Sequence, residues 1–208
     1  MIEVSARTDR PGGATGFVFS GRLGDLCHFA YGANMNGEQL RLRGIKPVAV
    51  SIARLPGHRV AFHGYSGVWD GAVETVVPAP GEDTWGVLYK LEVMDGEVLD
   101  LWQDARQDGS GAYFHYPAEV TDPAGETRMV LLYKKDVLGT PEKPSREYLD
   151  FIVQGAVEHG LPASYIEKLR QTESKPAEYP VPRRGKSGRN FYAVTSCAEC
   201  GGASGAAA

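Results

Sequence analysis

A strand that turns directly into a helix N-terminus leaves backbone N–H groups pointing outward. Leu26-Cys-His-Phe-Ala-Tyr31 followed by Gly32-Ala-Asn-Met35 has that form. Unsatisfied donors and the helix dipole favour a carboxylate or phosphate there, and Gly32 permits close approach, although most such turns bind only water. Other chemical signals fail on spacing. Gly185-Lys186-Ser187 resembles the end of a phosphate loop, but Pro180 stands where the first glycine belongs and no apolar strand precedes it. Cys197 and Cys200 form a C-x-x-C with no second pair, which reads as an exposed dithiol rather than half a zinc site. The histidines at 28, 58, 63, 115 and 159 have no metal-ligand spacing, so no metal site is assigned and each reads as a strand or cap residue.

The elements that must hold the turn follow from apolar patterning and breakers. A strand over Leu26–Tyr31 leads to a short helix over Glu38–Leu42 that either Asn34 or Asn36 can cap. Extended stretches are expected at Val48–Leu55, Arg59–His63, Ala72–Val77 and Thr84–Leu91, separated by Pro56-Gly57, Gly64, Gly67 and Pro78–Gly81. Val93–Gln103 reads as a helix, Tyr113–Val120 and Arg128–Lys134 as a hairpin. Two helices close the body: one capped by Ser145 and running to His159, the other over Ala163–Thr172. The order is that of an α+β domain.

The 208 residues suit one domain with flanking segments. We divide them into a leader at 1–25, a body at 26–175 and a basic tail at 176–208 that ends in glycine and alanine. With 26 glycines and 13 prolines the chain is turn-rich, against a helical bundle. A net charge of −4 gives no basic field for nucleic acid or an anionic membrane, so a small-molecule partner is expected. Three cysteines and no signal-peptide pattern point to a cytoplasmic protein, and no run is long enough to span a membrane. Arg183, Arg184, Lys186 and Arg189 against Glu199 make the tail a separate basic object, a possible dock for an acidic protein partner.

Three motifs in order carry a resemblance: Phe29-Ala-Tyr-Gly-Ala-Asn-Met35, Ala53-Arg-Leu55 and Pro80-Gly-Glu-Asp-Thr-Trp-Gly-Val87. They look like the γ-glutamylcyclotransferase family, whose signature reads YGSN, then ARL, then a PG…WGV strand. The similarity continues through Gly111-Ala-Tyr113, Tyr148 and Gly160-Leu-Pro162, covering roughly residues 27–172. It implies a small mixed β-barrel flanked by helices, and elimination of 5-oxoproline from a γ-glutamyl amine or peptide without cofactor or metal. It also implies that the substrate carboxylate rests on Tyr31, Gly32, Ala33, Asn34 and Met35, with Tyr113, Tyr133 and Tyr148 lining the pocket.

One departure concerns the proton. The family's glutamate follows a Leu-Asp pair, and Leu99-Asp-Leu-Trp-Gln103 puts Gln103 in its place; a glutamine amide cannot accept a proton. Asp104 is a neighbouring substitute. Glu74 is the other, in Ala72-Val-Glu-Thr-Val76 where the family usually has a small residue. By alternation it shares a face with Ala72 and Val76: facing the barrel interior it would need a partner or a raised pKa, facing solvent it would be merely hydrated. Two readings follow, a cyclotransferase with a relocated carboxylate, or a binding protein of the same fold without turnover. The leaving amine and the oligomeric state stay open.

Overall fold

The computed structural model describes residues 27–106 and 108–183. The leader, Cys197 and Cys200, Gly185-Lys186-Ser187 and the rest of the tail from 184 onward lie outside them.

Five strands close a barrel: β1 (Cys27–Ala30), β2 (Val48–Ser66), β3 (Gly71–Lys90), β4 (Phe114–Thr121) and β5 (Thr127–Lys134), in the spatial order β1-β3-β2-β4-β5. β1 runs antiparallel to β3 and parallel to β5, which makes the sheet mixed and leaves it no free edge. Phe29, Ala53, Leu55, Val76, Leu88, Val120, Val130 and Leu132 fill the interior. A second apolar layer joins the outside of the barrel to α3 (Arg146–Glu158) and α4 (Ala163–Arg170) through Val87, Tyr89, Ile152 and Ile166.

β2 and β3 are each one long strand where the turn residues predict two. Pro56-Gly57 and Pro78–Gly81 do not end them. The register jumps from Pro56↔Asp83 to His58↔Pro78, so the extra residues of β3 bulge opposite Gly57. Gly57 and Gly81 take positive φ, and Pro78, Pro80 and Gly81 are exposed, so the bulge costs no buried ladder bond.

A short 3-10 turn over Ala33–Met35 separates β1 from α1 (Gly37–Leu42). Asn36, not Asn34, caps α1, accepting from the Gln39 N–H at 3.0 Å. Gly155 of α3 lets that helix lie against the turn: a Cβ there would sit 2.6 Å from the Met35 carbonyl carbon. Ser145 caps α3 by accepting from the Tyr148 N–H, and Tyr148 stacks on Trp69 with ring centroids 4.4 Å apart. α2 (Val93–Gln103) stops at Asp104, whose φ of 49° is left-handed.

The packed body runs past the expected boundary at 175. Lys175 bridges to Pro144 and Arg146, Glu178 donates its N–H to Asp70 at 2.6 Å, and the Arg183 N–H reaches Val68 at 2.7 Å. Buried Asp70 and the Tyr65 and Tyr179 hydroxyls anchor this strap, which the tail's polar composition did not suggest. Among the described residues no helix is long and apolar enough to cross a membrane.

Candidate active site

Glu74 points inward. It shares its face of β3 with Val76, which packs in the barrel interior, and only 4% of the residue is exposed. This decides between the two orientations the alternation allowed. Its Oε1 accepts from the Ala33 N–H at 3.4 Å, so the turn that opens as an anion site receives the protein's own carboxylate. Gly32 is required by that contact: a Cβ on it would lie 2.0 Å from Glu74 Oε1.

Burial pushes the Glu74 carboxyl up from 4.5 to about 7, against the pull of its own and the Ala33 backbone N–H and of the Arg43 and Lys135 charges. It is thereby poised to gain and lose a proton near neutrality. The Tyr113 hydroxyl donates to the Glu74 backbone carbonyl at 2.6 Å and fixes the strand at this point. Burial first, then the Glu74 charge, raises both Tyr31 and Tyr113 well above the usual phenol range, so each remains a neutral donor. Lys135 lies with its ammonium 5.0 Å from the Tyr113 ring centre, and its backbone N–H donates to Thr75 Oγ1 at 3.0 Å.

The other expected site residues divide. Tyr31 donates its hydroxyl to the Tyr133 carbonyl and stands beside Glu74. Tyr133 directs its own hydroxyl to Asp100, whose Oδ1 also lies 2.6 Å from His115 Nε2. Burial alone would raise Asp100, but the bonds from His115 and Tyr133 outweigh it and hold the carboxyl below its ordinary value. The Met35 side chain is wholly buried in the helical core, and Tyr148 is occupied by Trp69. Gln103 ends α2 half-buried, and its amide makes no hydrogen bond to another described residue. Asp104 is exposed, with its carboxylate on Arg106 Nε at 2.9 Å and the Ala112 N–H at 3.1 Å, where it closes the glycine loop.

The sequence did not show that Arg43 reaches the turn. At the C-terminal end of α1, its Nη1 donates to Asn34 Oδ1 at 2.7 Å and its guanidinium lies 5.0 Å from the Trp102 ring centre. The signal available in the sequence was only a cation nine positions after Asn34. A cavity of about 500 Å³ beside β2 and α4 does not include Glu74. Its wall carries Arg59, Lys143, Lys168 and Glu173, but Lys143 is already paired with Glu173 at 3.0 Å and Lys168 with Glu82.

Over residues 83–169 the chain matches the AIG2-like family. It is 31% identical to γ-glutamylcyclotransferase of Bos taurus over 153 residues, which cover 71% of this chain and 79% of that protein. The Homo sapiens protein of the same name is 30% identical, with coverages of 71% and 79%. A solved γ-glutamyl cyclotransferase superposes with a TM-score of 0.68 at 28% identity, covering 75% of this chain and 92% of that one.

Proposed function

Because the chain belongs to the γ-glutamylcyclotransferase family and is an enzyme of the cyclotransferase type, we propose that Glu74 carries the proton in the release of 5-oxoproline from a γ-glutamyl amine or peptide. The free α-amine of the substrate attacks its own γ-carbonyl. A carbon–nitrogen bond closes the five-membered ring, the bond to the leaving nitrogen breaks, and one carboxylate takes the proton from the amine and returns it to the leaving group. Glu74 has the attributes that task demands: buried, inward-facing and with its carboxyl at about 7. Gln103 cannot accept the proton, and Asp104 is engaged with Arg106 and the loop backbone. The single observation that carries the reading is the Glu74 carboxylate on the Ala33 N–H, which brings a base to the turn where the substrate head was expected.

The low cysteine count fits a cytoplasmic enzyme acting on a small γ-glutamyl compound. The test is 5-oxoproline release from a panel of γ-glutamyl amides and peptides by the wild-type protein and by Glu74→Gln. General acid–base catalysis contributes about 10²–10⁴-fold, so the variant should lose activity on that scale while remaining folded. A Glu74→Gln protein with wild-type turnover removes Glu74 from the mechanism.

A further inference from the structure

We propose that the leader of this chain, through Phe17, Val18, Phe19 and Leu23, covers an apolar face that α2 leaves unpartnered. Met94, Val98, Leu101 and Trp102 stand at i, i+4, i+7 and i+8, so they fall on one side of that helix. Met94 and Leu101 are each 67% exposed and Trp102 46%, while Val98 is half-buried against the core. Single apolar residues on a surface need no explanation, but a stripe that repeats with the helix marks a face built to be covered.

The rest of α2 gives it little hold on the body. Of its 11 residues Leu99 alone is buried. Asp95 accepts from the Lys46 N–H at 3.3 Å near one end, and Asp100 takes the bonds from His115 and Tyr133 near the other. Helices of this length owe most of their stability to an apolar face packed on something else, and here most of that face meets solvent in the described residues.

The occupant follows from where the chain enters the fold. β1 runs antiparallel to β3 with Cys27 opposite Lys90, so the residues before Cys27 continue toward the end of β3 that leads into α2. Leu91 and Glu92 alone separate Lys90 from Val93. Residues 1–26, which lie outside the described residues, therefore arrive at the first turn of α2. The stretch from Phe19 to Cys27 spans up to about 26 Å when extended, against about 16 Å for the length of α2, so Phe19 reaches every turn of the stripe. Phe17-Val-Phe19 is the one run of three apolar residues in the leader, and its two aromatic rings supply the area such a face asks for. Charge favours the same occupant. α2 has no basic residue, and exposed Glu92 and Glu97 flank the stripe. A second copy docking by this face would set those carboxylates against their own kind, whereas the leader brings Arg22. Covering the stripe also braces Trp102, whose ring centre lies 5.0 Å from the Arg43 guanidinium that donates to Asn34 in the turn.

Two measurements on the full chain test this: hydrogen–deuterium exchange read by mass spectrometry, and photo-crosslinking from Phe19→p-benzoylphenylalanine in a mixture of isotope-labelled and unlabelled chains. Replacing both leader aromatics, Phe17→Ser with Phe19→Ser, should raise exchange across residues 93–103 by about tenfold or more and leave β2 and β3 unchanged. Crosslinks from position 19 should fall on residues 93–102 of the same chain, and Met94→Ser with Leu101→Ser should cut their yield by about tenfold. Exchange in α2 that ignores the leader substitutions overturns the proposal, as do crosslinks that fall elsewhere on the body. Crosslinks joining labelled to unlabelled chains overturn it too, because a second copy then holds the face. Should the leader variant loosen the barrel as well, the crosslinks of the otherwise unaltered chain still decide.

Discussion

Replacing Glu74 with glutamine removes a carboxyl group whose pKa stands at about 7 in the folded protein against an ordinary 4.5. The folded state holds a proton that the unfolded chain releases between those values, so the stabilisation is complete below about 4.5 and is lost as pH rises through about 7. At about 1.4 kcal/mol per unit the whole shift is worth on the order of 3 kcal/mol, most of which falls between pH 5 and pH 8. Glutamine does not titrate. The stability of Glu74→Gln relative to wild type should therefore improve by about 2–3 kcal/mol from pH 5 to pH 8, or roughly 5–10 °C in Tm for a domain of this size. Urea unfolding of both proteins at the two pH values measures this directly, and cyclotransferase assays on the same samples should show the variant less active at pH 8, where its relative stability has risen. Wild-type turnover should rise with pH through about 7, as the carboxylate form becomes available. Stability–pH curves for the two proteins that stay parallel within about 0.5 kcal/mol would refute the burial argument.

Gly32→Ala drives a Cβ into Glu74 Oε1, so the carboxylate must leave the Ala33 N–H; about 1–3 kcal/mol of stability should be lost in denaturant titrations, with turnover down about 100-fold or more. A chain ending after Thr172 loses the Lys175, Glu178 and Arg183 backbone bonds to the body, whereas one ending after Arg183 keeps them. At about 1 kcal/mol per bond, the shorter protein should melt at least about 5 °C lower by calorimetry. Gln103→Glu restores the carboxylate at the family's usual place, so adding it to Glu74→Gln should recover at least about tenfold in 5-oxoproline release. No recovery in a folded double variant would show that the end of α2 does not reach the reacting amine.

Local signals were legible where one element settled them. The spacing of Val98, Leu99 and Trp102 located α2 to its last residue, and Ser145 marked the start of α3. The long hairpin of β2 and β3 was not legible, because Pro56-Gly57 and Pro78–Gly81 are turn residues in most settings and a closed barrel absorbs them as a bulge at an exposed place. Alternation told which residues share a face with Glu74. Which face is inside depends on how five strands close, a property of no single strand. The bond from Arg43 to Asn34 is harder still, since it comes from a helix of six residues folding back beside the turn that precedes it.

β1 is four residues long, yet it is the seam of the barrel: all four pair with β3, and Cys27 and His28 pair with β5 on the other side. The residues that follow it are Tyr31, Gly32 and Ala33, on which Glu74 is seated. Fastening the seam and seating the carboxylate are therefore one cooperative event. If β1 peels away, the interior loses Phe29 and the carboxylate loses its N–H donor together, so a chain with the barrel shut and the site unmade has little population to draw on. In this protein the lifetime of the contact between Glu74 and the turn is the lifetime of its shortest strand.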